Sequence, residues 1–220
     1  MRLKKIIIGI TSIVLMLSIW WAAARWYERT LIDEQRLRVS AELTPYRNSL
    51  TTAINRRLSL LEGLKNFAVV RSRAGKTLDP VEFATFTEGM LLSFRGIRVI
   101  HLSPDGVNRY VSPLDGNQDV LGHDLLHDQR PQVRQDVLRT IQTRLTALSD
   151  PYELRQGGFG LVGRLAIYRQ NDFWGLAVIV LDVPHLISVA GLDQRPPGIE
   201  IAIKDRSGRV FLAKRVFSKP

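Results

Sequence analysis

QGGFGLVGRLAIYRQNDFWGLAVIVLD, Gln156 to Asp182, is the stretch whose reading decides the fold. Leu161–Tyr168 and Phe173–Asp182 are dense in β-branched, aliphatic and aromatic residues, and the polar break Gln170-Asn171-Asp172 between them signals a hairpin. A further β-like run, Tyr152–Gln156, precedes them across Gly157-Gly158-Phe159-Gly160. That glycine cluster lacks the strand-to-helix context and the Lys-Ser/Thr pair of a phosphate-binding loop, so it reads as a β-turn. Three strands in a meander follow.

Upstream, Ile97–Ser103 and Val107–Ser112 are two more β-rich runs, joined by Pro104-Asp105-Gly106, whose residue types favour a tight turn. Pro113–Asp128 is a loop rich in Gly, Asp and Asn. Arg130–Leu148 has helical spacing through Val133, Val137, Leu138, Ile141 and Leu145. Asp79-Pro80-x-Glu82 supplies an N-cap, a proline at the first helical position and an acid at the third, so a short helix is expected to about Phe94. Downstream, a short helix is expected over Pro184–Leu192, then a stiff Arg195-Pro196-Pro197-Gly198 linker. A last hairpin, Ile199–Lys204 with Arg209–Ala213, is alone too small to be stable and reads as the start of a second sheet. The element order is α+β with an antiparallel sheet, which excludes a doubly wound nucleotide fold.

The N-terminal region is helical throughout. Leu50, Ile54, Leu58, Leu61, Leu64 and Ala68 recur by threes and fours, an amphipathic helix of about 25 residues, and Thr44-Pro45 is expected to restart or kink the helix that precedes it. Ile6–Ala24 (IIIGITSIVLMLSIWWAAA) carries no charge and no proline. It would span roughly 28 Å, near the thickness of a bilayer core, with Trp20, Trp21 and Trp26 at one interface. Arg2, Lys4 and Lys5 before it keep the N-terminus cytoplasmic by the positive-inside bias. A cleaved secretory signal ending at Ala22-Ala23-Ala24 is the competing reading, against which stand the length of the run and its tryptophans.

The chain has 220 residues, no cysteine and a net charge of +10. Disulfides, thiolate metal sites and thiol catalysis are thereby excluded. The arginines are scattered and form no block, so the charge reads as a basic surface facing anionic headgroups, not as a nucleic-acid site.

GIRVIHLSPDGVNRYVSPLDGN (Gly96–Asn117), LGHDLL (Leu121–Leu126), QGGFGLVGRLAIY (Gln156–Tyr168) and FWGLAVIVLD (Phe173–Asp182) together resemble, in order, the elements of a CHASE domain, an extracytoplasmic sensory module. The resemblance departs at Ala166-Ile167, where a Pro-Val pair is commoner. It implies a long stalk helix carrying two PAS-like subdomains, a small ligand in the membrane-distal one, and flanking membrane helices. Relatives generally feed cyclase, phosphodiesterase or histidine kinase output domains. The expected organisation is a membrane helix over 1–26, stalk helices over 27–75, the PAS-like antiparallel sheet sensor over 76–192 and an incomplete second PAS-like subdomain over 193–220.

Tyr110, Arg164 and Tyr168 place polar tips on otherwise apolar strands and are the expected ligand-binding residues. Arg164 could pair with a ligand carboxylate or with an internal acid such as Asp182. Asp115 and Asn117 could cap a ligand or satisfy their own turn. His123-Asp124-Leu125-Leu126-His127 is one carboxylate away from H-E-x-x-H, but the Asp is a methylene short and the segment falls in a loop. No metal, cofactor or catalytic residue is expected, and no G-x-S-x-G elbow is present.

The expected function is therefore a sensor anchored in the cell inner membrane. It would be periplasmic or extracytoplasmic, dimerise through its stalk helices, bind a small ligand and pass the signal to a cytoplasmic output domain. The alternative is a non-catalytic anchored module that binds a protein or the envelope. A cavity of about a few hundred Å³ under the sheet favours the sensor; a filled core with an exposed apolar patch favours the module.

Overall fold

A computed structural model of the chain describes residues 2–73, 78–194, 201–205, 208 and 210–212, with the backbone alone for 2–12, 72, 73, 211 and 212. It divides into two compact units, Met1–Arg47 and Asn48–Pro220. The first is the greater part of α1 (Arg2–Leu58). Among the described residues no helix is long and apolar enough to cross a membrane, and the side chains that open the Ile6–Ala24 run lie outside them.

The helix does not restart at Thr44-Pro45. Pro45 lies inside α1, and Thr44 Oγ1 donates to Ser40 O at 2.7 Å instead of capping a new helix. The missing Pro45 N–H costs least where neighbouring backbone is exposed to water. The interruption comes at Ser59, between α1 and α2 (Leu60–Arg73). Within the second unit, Ala53, Leu61, Leu64 and Ala68 form a buried stripe at helical spacing that packs against the sheet. α3 (Pro80–Ser93) begins as expected, with Asp79 accepting from Val81 N at 3.1 Å, and an Arg71–Glu82 ion pair links α2 to α3.

The central sheet is antiparallel and six-stranded. Its strands are β1 (Ile97–Pro104), β2 (Tyr110–Ser112), β3 (Ala147–Leu148), β4 (Tyr152–Glu153), β5 (Phe159–Arg169) and β6 (Asp172–Asp182), in the order β2-β1-β6-β5-β3 with β4 also on β5. The β1–β2 turn needs left-handed backbone at both Asp105 (φ 55°) and Gly106 (φ 83°), which a short polar residue and a glycine tolerate. α4 (Pro131–Thr143) is shorter than its periodicity suggests. Arg144 adopts a left-handed C-cap (φ 57°), and Ala147-Leu148 leave the helix to pair with β5.

β6 is buried on both faces, so its apolar run does not alternate. One face, with Ile100, Leu102, Leu165, Ile167, Ala177 and Ile179, meets the helices; the other, with Val99, Val162, Ala166, Leu176, Val178 and Val180, meets α4 and the long loop. At about 25 cal/mol per Å² of apolar surface, these two cores supply most of the folding drive of this unit. α5 (Val183–Val189) starts at Asp182, which caps His185 N at 2.9 Å. Of the final hairpin, β7 (Ile203–Lys204) pairs with β8 (Val210–Leu212). The Arg195–Gly198 linker and residues 213–220 lie outside the described residues.

Candidate ligand site under the sheet

Register sets the site. Val178, in the middle of β6, lies opposite His101 of β1 on one side and Arg164 of β5 on the other. Because side chains alternate, all three point to the face covered by the long loop. There they line a cavity of about 40 Å³ beneath the loop, together with Asn108, Tyr152 and Gln156.

Arg164 is 2% exposed. Its Nη2 donates to the Tyr152 hydroxyl at 2.9 Å, while Nε has no partner. No acid pairs with it among the described residues: Asp182, the expected internal partner, is occupied in capping α5. Arg57 is nearly as buried, yet its guanidinium is spent on the carbonyls of Ala53 and Arg95. Arg164 is thus a buried charge left partly unsatisfied, the kind of group that carries function.

His101 sits deep in the same wall. Asn108 fixes its protonation pattern: Asn108 Nδ2 donates to Val120 O at 3.0 Å, so its Oδ1 is an acceptor, taking Ser103 Oγ at 2.7 Å and His101 Nδ1 at 3.2 Å. His101 Nδ1 therefore bears the hydrogen and Nε2, buried without a partner, is a lone pair. Burial first, then the fields of Arg164 and His123, lower its pKa to about 4 against the hydrogen bond with Asn108. The imidazole is neutral at ordinary pH.

The loop closes the cavity through a polar wall. His123 Nε2 donates to Asp128 Oδ2 at 2.8 Å, because its Nδ1 accepts from Arg155 Nη1 at 2.6 Å and an arginine can only donate. Asp128, 3% exposed, also binds Arg130 through Nε at 3.0 Å and Nη2 at 2.7 Å. Burial raises the Asp128 carboxyl, but hydrogen bonds from Arg130 and His123 outweigh it and hold the group well below the usual carboxylate range. Arg130 in turn stacks over the Tyr152 ring at 5.3 Å. A chain of contacts therefore runs from Asp128 in the loop through Arg130 and Tyr152 to Arg164. His123, Arg130 and Arg155 also line an open recess of about 370 Å³ on their outer side.

Of the residues expected to bind ligand, Arg164 lines this cavity. Tyr110 lies on the helical face against Phe83, ring centroids 5.9 Å apart. Tyr168 donates to Ile141 O at 2.6 Å beneath the Arg144 guanidinium. Asp115 is exposed, and Asn117 donates to the carbonyls of Pro113 and Asp115 while its Oδ1 accepts from Gln156 Nε2 at 3.3 Å. Turn chemistry accounts for both. His123 and His127 bind different carboxylates, the latter Asp124 at 2.7 Å, and the described residues hold no cluster of three metal-ligating groups. Gly157 and Gly158 form a turn (φ 76° and 75°) whose carbonyl at Gly157 accepts from Arg98. His101, Asn108 and Tyr152 were not singled out by sequence; only His101 carried a signal, a polar residue on an otherwise apolar strand, while Asn108 lies in the turn after β1 and Tyr152 on the two-residue β4.

Residues 107–210 match the family model described as the CHASE domain. No curated protein matches. Among solved structures, the chain is similar to an extracellular ligand binding receptor from Desulfohalobium retbaense, with a TM-score of 0.56 at 14% identity, over 81% of this chain and 30% of that one. It is also similar to the ligand binding domain of the Pseudomonas aeruginosa amino acid chemoreceptor PctC in complex with GABA, with a TM-score of 0.58 at 15% identity, over 83% and 77% of the two chains. The sensor domain of the V. cholerae histidine kinase DctB gives a TM-score of 0.56 at 11% identity, over 80% and 64%. The chain spans less than a third of the length of the Desulfohalobium receptor. The likeness is one of fold: a mixed helix and antiparallel-sheet arrangement similar to that of extracellular sensor domains.

Proposed function

We propose that this chain, whose residues 107–210 match the CHASE domain, is the extracytoplasmic sensory part of a membrane receptor and binds a small ligand in the cavity between His101 and Arg164. The observation that carries the reading is the pair of buried, unpaired nitrogens, Arg164 Nε and His101 Nε2, on one cavity. A third such nitrogen, His185 Nε2, does not line this cavity, so what supports the reading is that two of them share one. The cavity is smaller than the few hundred Å³ expected of a ligand site, and its partition from the 370 Å³ recess consists of side chains on a loop, which can move.

The apolar run Ile6–Ala24 is the membrane anchor, and two copies pair along α1. The support for pairing lies in the first unit itself, where Ile32, Val39 and Leu43 share one helix face along a groove of about 470 Å³. Ligand entry would displace the loop wall, and the sheet would pass the change to α1 and α2, whose apolar stripe packs on its opposite face. Only a ligand with different affinity for the two states can drive that change. The PctC complex with GABA supports a small polar ligand here, and an output domain receives the signal.

Mass spectrometry of the gently purified full chain tests the site. A small molecule should be released by heating the wild type and be absent from Val178→Phe, which fills the centre of the cavity. Identical small-molecule content in the two would overturn the reading.

A further inference from the structure

Arg164 and His101 are complementary in a way that specifies chemistry. The Arg164 Nε–H is a cationic donor with no acceptor, and the His101 Nε2 is a neutral lone pair with no donor. Leaving a buried guanidinium unpaired is costly, and an anion on it relieves that cost through a charge-assisted hydrogen bond. Among the described residues, no Asp or Glu lines the cavity, and Asp128, in its loop wall, is turned to Arg130 and His123. Within the cavity an ammonium group would find no carboxylate, and the two that line the outer recess are already engaged, Asp124 by His127 and Asp128 by His123 and Arg130.

We propose that the ligand of this cavity is a small organic anion carrying a hydroxyl next to its charged group, as a 2-hydroxycarboxylate does, and no ammonium; this deepens the ligand-site reading above and rests on it. The carboxylate sits on Arg164 Nε–H and the hydroxyl donates to His101 Nε2. The two strands that carry these residues flank a single strand, so their Cα atoms are about 10 Å apart and both side chains reach inward, which suits a ligand of few carbons. As it stands, the cavity of about 40 Å³ holds roughly three water molecules. A three-carbon hydroxy acid therefore requires Arg155 to swing out, releasing His123 Nδ1 and joining the cavity to the outer recess. Hydrogen phosphate shares the same chemistry, negative oxygens beside an O–H, and must be separated by experiment.

Calorimetric titration of the full chain with glycolate, L-lactate, pyruvate, L-alanine and inorganic phosphate makes the test. Glycolate or L-lactate should bind at least about tenfold tighter than pyruvate, which lacks the hydroxyl, and than L-alanine, which carries an ammonium. Arg164→Lys should weaken hydroxy-acid binding about tenfold or more, because a point charge replaces a planar fork. Should Arg164→Lys fail to fold, His101→Leu serves instead: it should bring lactate and pyruvate to similar affinity. Binding of phosphate alone overturns the organic anion. Binding of L-alanine that depends on Arg164 overturns the ligand class while leaving the site intact. Silence from all five compounds overturns the proposal, and if no small molecule co-purifies either, the site reading fails with it.

Discussion

His101 and Arg164 lie in one row of the sheet, each opposite Val178, with an unpaired nitrogen apiece on the same cavity. A one-residue slip of β1 or β5 would send either side chain to the helical face, where both strands present Ile and Leu. The register that builds the core is therefore also the one that builds the site.

Tyr152→Phe should separate the site from its support. The change removes the acceptor of Arg164 Nη2 and leaves the ring beneath Arg130. Losing a hydrogen bond to a buried charge costs about 1.5–3 kcal/mol. A urea unfolding curve should show that loss with an unchanged slope.

Stability should fall with acid in a window set by His101. Its folded pKa of about 4 lies below the ordinary 6.5, so the unfolded chain takes up the proton first as pH drops. The contribution is complete above about pH 6.5, declines between 6.5 and 4, and is constant below; it amounts to about 3 kcal/mol at most. Asp128, held low, adds a further loss below about pH 4. Unfolding free energies of the wild type and His101→Gln at pH 7 and pH 5 check the first window: the wild type should lose more, and equal losses would contradict it.

Gly175→Ala should be severely destabilising. A Cβ there would approach Pro104 Cα to 2.8 Å, backbone that cannot move aside without breaking the β1–β6 pairing. A cost of about 2–3 kcal/mol is expected, read as a lowered Tm. Gly89→Ala, whose Cβ would meet nothing within 4 Å on an exposed helix position, should be neutral or slightly stabilising.

Pairing along α1 can be tested with one cysteine, since the chain has none of its own. Val39, the site for Val39→Cys, shares a helix face with Ile32 and Leu43. Oxidation in membranes should yield a covalent dimer, while a cysteine at Leu37 on another face should yield far less.

The β1–β2 and β5–β6 hairpins, their turns and the capping of α3 were legible because each is dictated by neighbours in sequence: a period, a proline after an aspartate, a glycine in a turn. Arg164 was legible for the same reason, a charge on an apolar strand. The rest of the site was not. His101, Asn108 and Tyr152 belong to β1, the turn after it and β4, and only strand register and loop closure bring them to Arg164. Tyr110 and Arg164 look alike as polar tips on strands, and only pairing, Tyr110 opposite Leu102, shows that Tyr110 faces the helices. β3 was hidden because α4 keeps its helical spacing past Arg144, where a left-handed residue ends it.

The most direct measurement of the central claim is the side-chain Nε–H resonance of Arg164 in the ¹⁵N-labelled full chain, assigned by its absence from Arg164→Lys. Buried and unpaired, it should exchange slowly and then move on titration with a pool of small cellular metabolites, the shift saturating as one compound fills the cavity. A resonance that stays in place through the whole pool, with the protein folded, would contradict a ligand site between His101 and Arg164.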